Sequence, residues 1–508
     1  MSRLLSWALT GTLALGLLWL VFGLYTAGQP LVAVGVLVFG AALLVVYGTA
    51  TSLAWKYLFP GVAGMLLFVA FPLLYTVQIG FTNYSSNNLL SEQRAREYLL
   101  AKTLVDEASL LASSVHREGS AWRLRLQAED GRAWLTPPLA LDGSPAAVDL
   151  QADNGPTALA EPATLRELIT LRPGLQALAL RLPGRDAAQA PLRYAGLREF
   201  GQVLPQWQAL EGVQDSGALR RAEDGAVFRP NRDSGYFESE AGERMPPGFT
   251  VGIGLANYSR MLLDADFRSP FVNIFVWTVL FAGLSVLFST AIGMSLAVLL
   301  EWPALKGRAV YRTLLFLPYA VPGFISILVW KGLFNQNFGE INAILDMLFG
   351  VRPAWFADPL LAKAMLVIVN TWLGYPYIMI LCTGLLKSIP SDLYEASALA
   401  GASPWVNFRR ITAPLIIKPL TPLLISAFAF NFNNFVLISL LTDGRPDFLN
   451  TKLPAGTTDI LVSYTYRIAF TDSGQNFGLA AAISTLIFIM VAAMALVQLK
   501  LTQKEASK

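Results

Sequence analysis

The chain is poor in the side chains that most often do chemistry. It holds one histidine, His116, and one cysteine, Cys382, in 508 residues. A single cysteine cannot close an intrachain disulfide, and Cys382 sits in an apolar run where it reads as a packing residue. A single histidine assembles neither a histidine metal cluster nor a histidine-based triad, so neither catalytic residues nor metal ligands are expected. Charge is scarce too, with Asp, Glu, Lys and Arg at 14% and a formal net charge of +3. That field is too weak for a nucleic-acid partner held through its phosphates. No GxxxxGK[ST] loop is present to cradle a nucleotide, so any ATP is bound by another chain.

What the chain has instead is apolar length. Hydrophobic residues make up 54%, a balance that a water-soluble fold of this size could hardly present to solvent. A membrane-spanning helix needs about 20 mostly apolar residues, and about eight such runs are found. They lie near Trp7–Ala27, Leu31–Thr51, Tyr57–Phe81, Phe271–Leu300, Tyr311–Phe334, Ala362–Leu385, Ile416–Leu441 and Phe477–Leu499. The first is too long for a signal-peptide core and reads as a retained helix. The expected fold is an all-α polytopic membrane protein with one large insertion. Residues 1–56 would carry two N-terminal spans and 57–82 a third, with the insertion at 83–268. Five further spans would follow in 269–500, with a loop at 387–415 and a tail at 501–508. Lys306, Arg308, Arg312, Lys387, Arg409, Arg410, Lys418 and Lys500 collect on the side that also holds both ends of the chain, which makes that side cytoplasmic. Lys331 and Lys418 lie near span ends and read as snorkelling cations. The span centres otherwise lack ionisable groups, which disfavours an ion-coupled carrier.

The insertion reads as an α+β or β-rich module facing outward. Ser91–Leu104 has a helical pattern, Ala163–Leu171 reads as a second short helix, and Trp122–Gln127, Ala133–Leu135 and Leu178–Leu182 read as strands.

Two polar constellations stand out against the apolar background. The first is the loop before the seventh span, Pro390 to Pro414. Its first half favours helix, Gly401 and Pro404 break it, and Trp405, Phe408 and Ile411 recur at helical spacing up to Pro414, which is expected to stop the piece. Ala396, Ser397 and Ala398 are small enough to admit another protein's surface, and Glu395 could anchor it. From the residues alone, this is either a docking helix or a plain connector packed on its own bundle. The second is Phe430-Asn431-Phe432-Asn433-Asn434. Residues 431 and 434 are one helical turn apart and share a face with Phe430, while Asn433 points elsewhere. Nearby in the sixth span lie Trp372, Gly374, Tyr375 and Tyr377 around Pro376, where an interrupted helix would expose backbone to a cavity. Aromatic faces with neutral amides suit a sugar, which offers hydroxyls and no charge. The alternative is that the asparagines are glue between helices. Their clustering favours the ligand role.

Glu395-Ala-Ser with Gly401 and the later Ile411-x-x-Pro414 is similar to the EAA loop of ABC-importer permeases. Phe81-Thr-Asn-Tyr-Ser-Ser86, Leu317-Pro-Tyr-Ala-Val-Pro322, Gly339-Glu-Ile-Asn342, Asn370-Thr-Trp-Leu-Gly-Tyr-Pro-Tyr377 and Phe428-Ala-Phe-Asn-Phe-Asn-Asn-Phe435 resemble the maltose/maltodextrin branch of that family. The resemblance covers essentially the whole chain and is weakest in the middle of the insertion. It implies a transport subunit, not an enzyme, in the bacterial inner membrane. This chain would bind no cofactor, and ATP with Mg would be used by a partner ATPase. Its partners would be a second permease subunit, two copies of a cytoplasmic ATPase, a periplasmic maltose-binding protein, maltose or maltodextrin, and membrane lipid. Glu395, Ala396, Ser397, Gly401 and Pro414 would couple to the ATPase, and Leu373, Gly374, Tyr377, Phe430, Asn431 and Asn434 would line the sugar path. Two positions depart from the pattern: Ala400 stands where the family often has an acidic residue, and Ala427 replaces a serine. Other readings are an ABC permease for a different oligosaccharide, a secondary sugar carrier, or a membrane-anchored sugar sensor.

Overall fold

A computed structural model describes the chain apart from residues 1–2, 27–29, 49–51, 154, 156–158, 184–189, 211–216, 303, 450, 452–453, 472–474 and 507–508. The last two of these belong to the tail expected at 501–508. The chain forms two compact units, Met1–Ser86 with Gly252–Lys508, and Asn87–Val251.

The first unit is helical. Helices α1 (Arg3–Thr26) and α2 (Pro30–Gly48) pack against each other. Helices α3 (Leu53–Met65) and α4 (Phe71–Ile79) are joined through a π turn at Leu66–Ala70 into one apolar rod, Leu53–Ile79. The π turn stands just before Pro72, whose missing N–H and bulky ring disturb the regular ladder there. Most side chains of this rod are exposed, as suits a surface meeting lipid.

The second unit holds a nine-stranded sheet, antiparallel except for one pair, and a five-stranded antiparallel meander. Helix α5 (Glu92–Leu100) buries Ala95 and Leu99 against Trp207, Leu219, Phe228, Phe237 and Phe249 of the meander. It is shorter than its pattern suggests, because Thr103–Val105 leaves to pair with Val203–Pro205 as a β-branched edge. Helix α6 (Leu165–Ala177) starts at a capping box, Thr164 with Glu167, and packs Leu168 and Leu175 on the nine-stranded sheet. His116 is a buried core residue, its ring nitrogens held by Ala160 O at 2.7 Å and Ser114 Oγ at 2.8 Å.

The chain then returns to the first unit through α7 (Ala256–Leu263) and α8 (Ala265–Leu300). The fifth apolar run, expected as one span over Tyr311–Phe334, is two helices, α9 (Arg308–Ala320) and α10 (Gly323–Leu333), bent by 93°. Val321 takes extended geometry (φ −91°, ψ 133°), as a residue before proline prefers, and Pro322 lacks the N–H needed to continue. After α11 (Glu340–Phe349) comes α12 (Pro359–Leu386), opened by Asp358 Oδ1, which accepts from Leu360 N at 2.8 Å and Leu361 N at 2.9 Å. This helix runs unbroken through Pro376, so the local interruption expected there is not found.

Helix α13 (Ser391–Leu399) is followed by α14 (Pro404–Asn407), a π turn at Phe408–Thr412 and α15 (Ala413–Phe432). These last three form one continuous span, Pro404–Phe432. Pro414 therefore lies inside the first turn of α15 and does not end the amphipathic piece. The seventh run also breaks where none was expected: Asn433 and Asn434 separate α15 from α16 (Phe435–Leu441). Helices α17 (Leu461–Tyr466) and α18 (Phe477–Ala506) complete the unit.

Helices α8 and α12 pack along each other because Gly293 lets them approach. A Cβ there would stand 2.9 Å from Ile378 Cβ, Met379 N and Tyr375 O. Below this contact Met294, Ala297 and Leu300 bury against Ile378, Met379 and Cys382, so the lone thiol is a packing group.

Candidate substrate cavity and coupling helices

A cavity of about 660 Å³ opens among α8, the α9–α10 bend, α12, α15 and α16. Its size is typical of small-ligand sites. Its described walls include no acidic, basic or histidine side chain. Leu373, Gly374, Tyr377, Phe430, Asn431 and Asn434 all line it. Phe430 is 71% exposed and Tyr377 44%, so both aromatic surfaces are open to an occupant. On α12, helical periodicity separates two faces. Residues 373, 374 and 377 meet the cavity, while Trp372 stacks edge-on against Trp330 at 5.6 Å and Tyr375 donates to Leu315 O at 2.9 Å. The aromatic cluster expected around Pro376 is thus split between two surfaces.

The amides owe their meeting to the helix break. Asn434 caps α16, its Oδ1 accepting from Leu437 N at 3.4 Å, and its Nδ2 donates to Asn370 Oδ1 at 3.2 Å. Asn431 donates through Nδ2 to Ala427 O at 2.8 Å and accepts at Oδ1 from Asn370 Nδ2 at 2.7 Å. So Asn431 and Asn434 share the cavity by converging on Asn370, not by sharing one helical face. Asn433 donates to Ala429 O at 3.2 Å and does not line the cavity. Asn370 is 6% exposed and went unrecognised in the sequence, since its partners lie 61 and 64 residues away. Lys331 is not a free snorkelling cation: it donates to Leu440 O at 3.1 Å, at the carboxyl end of α16 where the helix dipole favours a positive charge.

The loop before α15 is a helix pair. Gly401 takes φ +71°, a left-handed position that ends α13, and Ala402 N donates back to Ser397 O at 3.1 Å. Glu395 and Ala396 are exposed. Ser397 is not part of an open small-residue face, because its hydroxyl bonds Asn407 Oδ1 across the turn. Tyr394 OH meets Thr412 Oγ1 at 3.0 Å and ties the pair together a second time. Beside the turn, Leu399 is 92% exposed and Trp405 67%. Pro414 is exposed at the start of the span.

Residues 90–254 match the model of the maltose transport system permease protein MalF P2 domain. Residues 289–502 match the binding-protein-dependent transport system inner membrane component. The chain is 48% identical to the maltose/maltodextrin transport system permease protein MalF of Salmonella typhimurium, over 99% of this chain and 97% of that one. The MalF protein of Yersinia pestis is 47% identical over 98% and 94%. The chain belongs to the MalF family. A solved bacterial ABC transporter involved in alginate import is 21% identical over 50% of this chain and 84% of that one, with a TM-score of 0.43, too remote to bear on the site. As a MalF-family member the chain is a transport permease subunit of an ABC importer in the membrane, not an enzyme. Its inserted unit corresponds to the family's P2 domain, and its cavity lies on helices of the shared inner-membrane component.

Proposed function

We propose that this subunit forms part of the path by which maltose or maltodextrins cross from periplasm to cytoplasm by alternating access. The observation that carries this reading is the cavity with aromatic faces and three linked amides and, among its described walls, no charged side chain. Amides donate to and accept from hydroxyls without the penalty of a buried charge. The proposed sugar-lining residues are Leu373, Gly374, Tyr377, Phe430, Asn431 and Asn434. The α13–α14 pair, through Glu395, Ala396 and Gly401 with Leu399 and Trp405, is proposed as the docking element for the ATPase. Closure of the ATPases would move this element as a rigid lever and reverse the access of the cavity.

The partners are a MalG-like permease, two copies of a MalK-like ATPase that bind ATP and Mg, and a MalE-like maltose-binding protein. Both ends of the chain are placed in the cytoplasm and the inserted unit in the periplasm, on the distribution of Lys and Arg. The test co-expresses the chain with these partners and measures maltose-stimulated ATP hydrolysis and uptake. Glu395→Lys/Gly401→Asp is expected to lose assembly and stimulation. Asn434→Ala and Tyr377→Ala should assemble but transport at least roughly fivefold more slowly, the loss of about one hydrogen bond or aromatic contact. Wild-type behaviour of the loop variant would make the helix pair a plain connector, and wild-type uptake by both cavity variants would remove the sugar path from this chain.

A further inference from the structure

The wall of the cavity opposite in chemistry to the amide cluster is made by α8 and the start of α10. At the 93° bend the backbone leaves regular geometry, and α10 begins without a side-chain cap. Ile325 N and Ser326 N both donate to Pro322 O, at 3.0 and 3.2 Å. The N–H groups of Gly323 and Phe324 find no acceptor among the described residues, and both residues line the cavity. On α8, Ser285 lines the same cavity, is 1% exposed, and its Oγ has no hydrogen-bond partner among the described residues. On the same helix Thr278 Oγ1 donates to Ile274 O at 2.7 Å, whereas Thr290 Oγ1, which also belongs to a lining residue, has no partner among the described residues either.

Idle donors inside a membrane protein are costly unless they line a cavity whose contents can satisfy them. Broken helices in transporters commonly aim their amino-terminal halves at the substrate for this reason. These donors belong to residues on two elements that line one cavity, and none has an acceptor among the described residues. An anion would suit a helix start, but no lysine or arginine is among the described lining residues, so the occupant that fits is a neutral one offering oxygen lone pairs.

We propose that Gly323 N–H, Phe324 N–H and the Ser285 hydroxyl form a second sugar-binding wall, donating to hydroxyl or ring oxygens of the saccharide held on its other side by Asn431 and Asn434. The inference rests on the transport reading above and adds contacts from α8 and α10 to it. It also accounts for how the cavity holds a sugar although Ala427 supplies no hydroxyl.

The bend allows a clean removal of one donor. Gly323 is the first residue of α10, where proline is favoured, and Pro322 already has the extended geometry (φ −53°, ψ 126°) that a following proline requires. A Cβ at Gly323 would meet nothing within 4 Å. Gly323→Pro thus deletes the N–H, while Gly323→Ala keeps it and adds only a methyl group. Ser285→Ala removes the hydroxyl from a helix that tolerates alanine.

The experiment measures uptake of radiolabelled maltose by the assembled transporter, beside ATP hydrolysis stimulated by the binding protein. Gly323→Pro and Ser285→Ala should each slow uptake roughly fivefold with hydrolysis retained, and Gly323→Ala should stay within about twofold of wild type. If Gly323→Pro fails to assemble, Ser285→Ala decides alone. Wild-type uptake in Ser285→Ala, or equal losses in Gly323→Pro and Gly323→Ala, overturns the second wall. Asn434→Ala is run in parallel. Its slowing while the α8 and α10 variants behave as wild type defeats this inference and leaves the transport reading standing. Wild-type uptake in all of them defeats both.

Discussion

Asn370 sets the orientation of the amides around it. Asn431 spends its nitrogen on Ala427 O, and Asn434 spends its oxygen on Leu437 N. What remains toward α12 is one oxygen and one nitrogen, and a third amide at 370 answers both. Neither aspartate nor leucine of similar size can do so. Asn370→Asp puts a carboxylate oxygen against Asn431 Oδ1 and keeps only the acceptor for Asn434. Asn370→Leu leaves both groups unanswered, a penalty of about 1–3 kcal/mol for each buried polar group left alone. Both variants are expected to reduce maltose uptake by roughly tenfold or more. Asn370→Gln, which keeps donor and acceptor on a longer arm, should retain more activity than either; equal loss in all three would make Asn370 a packing residue only. The amides of Asn431 and Asn434 could be singled out in the sequence because they crowd together in a run of phenylalanines. Asn370 could not, because helical spacing relates residues within about one turn and says nothing of a partner on another helix.

At the scale of the element, the spans were legible as apolar lengths, and their interruptions were not. Proline does not tell them apart. Pro318 and Pro376 sit inside unbroken helices, while Pro322 ends one. The difference lies in the residue before: Val321 obeys the steric preference for extended geometry, whereas the residues before Pro318 and Pro376 stay helical. Two other prolines share a different solution. A π turn ends two residues before Pro72 and two residues before Pro414, and in both cases the rod continues. A hydropathy pattern cannot distinguish these outcomes, since all keep the same apolar length. Close helix approach is better encoded. A Cβ added at Gly293 would stand 2.9 Å from backbone atoms of α12, whereas one added at Gly384, on α12 itself, would have nothing within 4 Å. Gly293→Ala is therefore expected to push α8 from α12 and destabilise the subunit by about 1–3 kcal/mol. Gly384→Ala should be neutral or slightly stabilising, since alanine is the better helix former. Thermal inactivation of the purified transporter in detergent checks both, and equal midpoints for the two variants would refute the close-packing role.

At the scale of the whole molecule, both units pair their charges, and the first also keeps them off the described walls of its cavity. The cavity of the first has no charged side chain among its described walls, while the second carries its charges in pairs at the surface. The densest group is on the meander, where Arg221 bonds Asp224 at 2.6 Å and Glu243 at 2.8 Å and lies over the buried Phe228 ring at 5.1 Å. Its hydrogen bonds hold the Asp224 carboxyl down at about 2. Glu238 is lowered as well, by Ser234, then Asn231 and Arg244. A carboxylate lowered in the folded state favours folding fully above its ordinary range, and that contribution disappears as pH falls through the folded value. Hydrogen exchange of the meander amides in the intact subunit, corrected for intrinsic rates, should therefore lose protection between about pH 5 and pH 2. Each exposed pair contributes little alone, so the informative quantity is the slope and not the total. Arg221→Met keeps the aliphatic cover over Phe228 and frees Asp224 toward its ordinary range. Its meander should be less protected than wild type at neutral pH and should lose less on acidification, so that the two proteins converge near pH 2. A variant with the wild-type slope would show that the acid response of this unit comes from other carboxylates.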